Sequence, residues 1–218
     1  MKISQLSFSL SGGAGKVASV LAAKLGALGH QSTIETVIRT NLRTSPWSSL
    51  GTSIMAGFDE FAVKNSNSTS QFSLLRDFKP GRPCVAPDLD ILNLHWVSGV
   101  ASFRQIGALD EQGKTIFWTL HDMRPFTGGC HQSGSCNLFM GCCGDCPQAR
   151  RPFRAAVSLN LTSKLNSDFL RRLTLVAPTH WIARAARQSS LFRDTDLVVI
   201  PNPIDERFFT QLKKSVSY

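Results

Sequence analysis

Long apolar runs are missing from this 218-residue chain. None approaches the roughly 18 residues that a membrane-spanning helix requires, and Met1-Lys2-Ile3-Ser4 leads into a short strand-like segment rather than a signal peptide, so the cytoplasm is the expected compartment. Acidic residues are few, 15 against 24 Lys and Arg. The glutamates are Glu35, Glu60, Glu111 and Glu206. None lies two residues after a histidine, which removes the His-x-Glu of a zinc deaminase. No carboxylate pair recommends a glycosidase, and no Gly-x-Ser-x-Gly turn marks an α/β-hydrolase. Aromatic residues are sparse where the basic residues crowd, so a stacking platform for single strands is excluded and no nucleic-acid partner is expected. Internal repeats and dividing linkers are absent too, which leaves one domain.

What is present is ordinary in bulk, with 42% hydrophobic and 18% charged residues. The pattern is not. Ile3, Leu6, Phe8 and Leu10 form a strand-like run that stops at Ser11-Gly12-Gly13, after which Val17, Leu21, Leu25 and Leu28 recur at helical spacing. Thr33 to Ile38 resumes with β-branched residues, completing a βαβ unit. Residues 41–87 read as irregular. Leu89 to Trp96 is then a strand, Val100 to Leu109 a helix and Thr115 to Leu120 a strand, followed by a helix over Ala156 to Leu170. Leu173 to Ala177, Trp181 to Gln188 and Leu197 to Ile200 add strand, helix and strand, with Thr179 placed to cap the helix. The rhythm predicts a Rossmann-like, doubly wound α/β fold on a parallel sheet.

Three constellations carry chemistry. In Gly12-Gly13-Ala14-Gly15-Lys16-Val17-Ala18 the glycines let backbone approach a phosphate at a helix N-terminus. Gly13 to Ala18 also fits the dinucleotide fingerprint, with Glu35 near the position of a ribose-binding acid. A tight structural turn is the plain alternative. Next, two strands end in His95-Trp96 and His121-Asp122, where ligands of open α/β sheets bind. Finally, five of the six cysteines fall between 130 and 146. A reducing compartment favours a structural zinc over disulfides in this cluster, and zinc, disulfides and free thiols all remain open.

The run Trp118-Thr119-Leu120-His121-Asp122-Met123-Arg124-Pro125-Phe126-Thr127-Gly128-Gly129-Cys130-His131 resembles a bacterial branch of glycosyltransferase family 4, the capsule and exopolysaccharide enzymes. His95-Trp96, the four-cysteine loop (Cys130, Cys136, Cys143 and Cys146, with Cys142 as an extra thiol), Val176 to Trp181 and Pro201-Asn202-Pro203-Ile204-Asp205 resemble further marks of that branch. The resemblance implies that residues 1–205 are an N-terminal acceptor-side domain, one half of a GT-B architecture, with the Cys-rich loop 130–146 inserted. Residues 206–218 would begin the interdomain linker, and a donor-binding C-terminal domain with its Glu-x7-Glu motif is absent. It further implies retaining transfer from a nucleotide-sugar, bound through the missing domain, to a polysaccharide or lipid-linked acceptor, with no cofactor required for catalysis. His121 would orient the transferred sugar. Gly12, Gly13, Gly15, His95 and Asp122 would contact donor or acceptor. Arg124 stands where the branch has tryptophan, a change that would alter acceptor stacking, and Pro203 replaces a glycine.

The positive charge is concentrated. Arg150, Arg151, Arg154, Lys164, Arg171, Arg172, Arg184, Arg187 and Arg193 face Asp168 alone in their segment. Such a segment is either a solvated helix surface or a contact for an anionic membrane, which would make the protein peripheral on the inner face. Two rival functions stand beside the glycosyltransferase: a non-catalytic remnant or binding module of the same fold, and an NAD(P)-binding oxidoreductase.

Overall fold

Parallel strands cannot be joined by a tight turn, and the described residues supply a helical crossover at four places. The computed structural model describes residues 1–36, 54, 57–63, 71–74, 85–86 and 88–204. Six strands, β1 (Lys2–Ser7), β2 (Gln31–Thr36), β3 (Ile91–Leu94), β4 (Thr115–Thr119), β5 (Thr174–Ala177) and β6 (Asp196–Val199), form one sheet in the order β2-β1-β3-β4-β5-β6. Every pairing is parallel. The crossover helices are α1 (Gly12–Ala27), α2 (Phe103–Asp110), α3 (Arg154–Leu165) and α4 (His180–Gln188). This is the Rossmann-like α/β architecture that the strand and helix rhythm predicts. Among the described residues no helix is long and apolar enough to cross a membrane.

Local chemistry sets the helix starts. Ser102 and Gln105 form a reciprocal capping box at α2, and the Thr179 hydroxyl accepts the Ile182 N–H at α4, as expected from its position. Beneath α2 and the loop after α4, Trp118 packs against Phe103 and Phe192 with ring centroids 5.2 and 6.3 Å apart. Leu92, Leu94, Ile116 and Leu175 complete this side of the core.

Several boundaries differ from the sequence pattern. The first strand ends at Ser7 rather than Leu10, because the Ser9 hydroxyl accepts the Ser11 N–H and turns the chain. The helix drawn from Ala156 to Leu170 stops at Leu165, and a 3-10 turn, Asp168–Arg171, follows. Asn166 and Ser167, which favour turns over helix interiors, separate the two. Most of residues 41–87 lie outside the described part, but residues 57–62 are helical rather than irregular. Asp59 accepts the Leu74 N–H at 2.8 Å, and Phe72 bridges to Cys130. Ile38 and Asp205 also lie outside the described residues.

Candidate functional site

The strand order reverses direction at β1: α1 carries the chain from β1 to β2 on one side, and all later strands lie on the other. A sheet of this type opens a crevice beyond the carboxyl ends of its strands at such a switch point. A cleft of about 520 Å³ lies there, lined by Ser7 to Gly15 without Leu10, by Trp96, His121, Asp122, His131 and Gln132, and by Gln71. The glycine turn after β1 and the segment after β4 therefore open onto one space.

Two glycines of the turn have different reasons to be there. Gly12 sits at φ +84°, a left-handed conformation that side chains resist. A Cβ on Gly15 would lie 2.2 Å from the Ser9 carbonyl oxygen, so α1 starts tight against the turn only because that position is bare. Gly13 meets nothing within 4 Å and faces open space. Ser9 and Ser11 bond one another through their hydroxyls at 2.7 Å instead of capping α1. The first helical N–H groups, which have no intrahelical acceptor, stay available at the cleft.

Strand alternation arranges the histidines. Gln5 pairs in register with Asn93 on β3, and Asn93 with Phe117 on β4, so His95 and His121 continue the row of Gln5, Asn93 and Thr119. Thr119 Oγ1 donates to Asn93 Oδ1 at 3.1 Å, and Asn93 Nδ2 donates to Gln5 Oε1 at 3.0 Å. The same Gln5 oxygen lies 2.9 Å from His95 Nε2. His95 Nδ1 lies 2.9 Å from His121 Nε2. Burial, then the neighbouring His121, pushes the His95 pKa down to about 3. Burial likewise lowers His121 to about 4, against the opposing charge of Asp122. Both rings are neutral at pH 7. In one tautomer Gln5 Oε1 accepts from His95 Nε2–H and His95 Nδ1 accepts from His121 Nε2–H; Asn93 Nδ2, 3.3 Å from His95 Nε2, supports the opposite tautomer. The first tautomer leaves His121, a residue of the cleft wall, with a lone pair on Nδ1. His95, 2% exposed, stands behind His121 and does not line the cleft.

Trp96 and Asp122, one residue further along each strand, form a second group. Asp122 Oδ2 accepts from Trp96 Nε1 at 2.7 Å and from His131 Nδ1 at 2.6 Å, while Oδ1 accepts the Arg124 N–H at 3.0 Å. Trp96 Nε1 also lies 3.2 Å from His131 Nδ1, but that nitrogen is committed as a donor to the carboxylate. Burial works to raise the Asp122 pKa, and the bond and charge of His131 with the Arg124 N–H outweigh it, holding the carboxyl below its usual range. Ser73 Oγ lies 2.9 Å from His131 Nε2. The Ser73–His131–Asp122 line has the connectivity of a nucleophile triad, yet Ser73 is 2% exposed and does not line the cleft. It fastens residues 71–74 to the site.

Arg124 is buried in a 3-10 turn, Arg124–Phe126, and is absent from the cleft wall. Lys164 departs from a solvated basic face. It is buried, donates to the carbonyls of Arg124 and Thr127 at 3.3 and 2.9 Å, and so clamps the loop after β4. Glu35 pairs with Leu6 near the end of β2 and lines none of the cleft. Sequence reasoning missed Gln5, Asn93 and Ser73 as partners of the site. The first two carried a signal, being polar residues inside buried strands.

Cys130, Cys136, Cys143 and Cys146 line one small cavity of about 10 Å³, together with residues that include Ser133, Phe139 and Val157. All five described cysteines are free thiols. Among the described residues, no group of three or more His, Cys, Asp or Glu side chains is placed to hold a metal ion. No family model matches the chain, and no curated protein matches it.

Proposed function

We propose that this domain is the acceptor-side half of a retaining glycosyltransferase, working on a polysaccharide or lipid-linked acceptor and completed by a nucleotide-sugar-binding domain. The observation that carries the reading is the shared cleft, in which a glycine turn at a helix N-terminus faces a neutral histidine whose Nδ1 can accept a sugar hydroxyl. No Lys or Arg stands among the described residues lining the cleft. A polyhydroxylated neutral ligand suits such a wall, whereas a diphosphate would take its cationic partners from elsewhere. The same lack of a clamp is what a binding module without transfer activity would have.

Two further parts belong to this reading. Four soft thiols lining one small cavity are a donor set suited to a structural zinc, which would require the loop to draw its sulfurs together. Arg150, Arg151, Arg171, Arg184, Arg187 and Arg193 remain exposed and offer an anionic membrane a basic surface. The test is a transfer assay with the chain alone and with an added donor-binding domain, across several nucleotide-sugars and saccharide acceptors. Transfer only in the combined sample is expected, with loss in His121→Ala. Transfer by the chain alone, or saccharide binding indifferent to His121→Ala, contradicts the reading.

A further inference from the structure

Phe8 and Trp96 form a right-angled aromatic corner in the wall of the cleft. Leu6 pairs in register with Leu94, and the β1–β3 ladder runs on past both strand ends, with His95 N donating to Leu6 O at 2.9 Å and Phe8 N to Trp96 O at 2.8 Å. That continuation sets the two rings side by side. Their centroids are 5.4 Å apart and their planes meet at 86°. Both residues stay half-buried.

Trp96 has no polar group left for a ligand. Its one donor, Nε1–H, is spent on Asp122 Oδ2 at 2.7 Å, and His131 stands beside the indole with ring centroids 5.4 Å apart. What the indole gives the cleft is carbon. Ser9, Ser11, Gln71 and Gln132, which both donate and accept hydrogen bonds, share the wall with the corner. Aromatic surface beside a few polar groups in a concave wall is the composition of a ligand site.

The corner narrows the class of ligand. Two rings at 86° leave no parallel-sided slot for a flat base. A pyranose differs in shape and polarity, because hydroxyls radiate from its rim while its faces carry C–H bonds whose slightly positive hydrogens suit the negative face of an aromatic ring. With one sugar face on the corner, rim hydroxyls would reach the serines and glutamines. Asp122, which holds the indole, directly follows His121, so the stacked ring would also stand close to that histidine.

We propose that Phe8 and Trp96 are the stacking subsite for a pyranose ring of the acceptor, with Trp96 as the positioning residue that sets how the sugar lies in the cleft. This subsite rests on the reading of the cleft as a saccharide site and adds which groups hold the ring. Saturation-transfer NMR on the whole chain tests it, with the methyl β-pyranosides of glucose, galactose and mannose as probes and uridine as a flat control. Irradiating the protein's aromatic protons is expected to mark one face of a bound sugar at least twofold more than the other, a measurement that needs no variant. Trp96→Phe and Trp96→Leu both remove the N–H given to Asp122, so they share that structural loss and differ in the aromatic ring. The leucine variant is expected to bind the sugar about tenfold more weakly than the phenylalanine variant, at a similar urea midpoint. Equal affinities of the two variants, or equal marking of both sugar faces in the wild-type chain, overturn the subsite and leave the saccharide reading standing. Saturation of uridine and of no sugar, or binding of none of the probes, overturns both.

Discussion

His121 carries an Nδ1 lone pair in the tautomer whose hydrogen bonds begin two strands away, where Gln5 Oε1 accepts from His95 Nε2–H. Around the two rings, Gln5, Asn93 and Thr119 are uncharged, and Asp122 is the one charge acting on them. Both folded pKa values, about 3 and about 4, lie below that of a histidine in an unfolded chain. The neutral pair thus contributes its full stability above about pH 6.5, and the contribution is lost as pH falls toward the folded values. Between pH 7 and pH 5 the pair should cost the fold roughly 2–4 kcal/mol, read as a falling urea midpoint. His95→Gln combined with His121→Asn should flatten that part of the slope; an unchanged slope contradicts the neutral pair. Asp122→Ala would strand three N–H donors and is expected to destabilise by about 3 kcal/mol or more in the same denaturation assay. Asp122→Asn, which retains an acceptor, should cost less. The histidines were legible as strand-end residues, but the relay was not, because the register that sets Gln5 beside Asn93 is fixed by pairing between distant strands.

The strand-to-helix turn after β1 makes a sharper distinction between its glycines than the sequence could. Gly15→Ala must push the α1 start away from Ser9, at a cost of about 1–3 kcal/mol and with distortion of the cleft, whereas Gly13→Ala should be nearly silent in thermal unfolding. Equal effects would contradict the packing argument. At the loop after β4, the four cysteines on the cavity separate from Cys142, which is exposed. If the loop takes up zinc, the purified chain should carry about one equivalent, retained by Cys142→Ser and lost by Cys143→Ser; a metal-free chain contradicts that proposal. The six described strands and the four crossover helices were visible as periodic runs, since buried parallel strands and their crossovers leave strong apolar patterns, whereas the helix over 57–62 was not. Ends were less visible: the Ser9–Ser11 turn that stops β1 is a side-chain event inside an apolar run. Lys164 shows the same limit, because a lysine in a basic segment gives no sign that its ammonium will reach the carbonyls of Arg124 and Thr127.

At the scale of the whole molecule, the switch in strand order places the glycine turn and His121 at one crevice. Charge is unequally distributed, although Lys164 is internal and Arg172 and Arg154 are paired with Asp110 and Asp145. If the remaining arginines meet a membrane, binding to vesicles should rise with anionic lipid content and fall with salt. Indifference to both removes that role. In the proposed function the crevice receives a neutral sugar through an unprotonated His121. Imidazole nitrogen NMR at pH 7, with saccharide acceptors and nicotinamide dinucleotides titrated separately, tests it most directly. A neutral ring protonated on Nε2 is expected, its Nδ1 resonance moving on adding saccharide and staying still with the dinucleotide. A protonated imidazolium, or a resonance moved by the dinucleotide and not by saccharides, would contradict it.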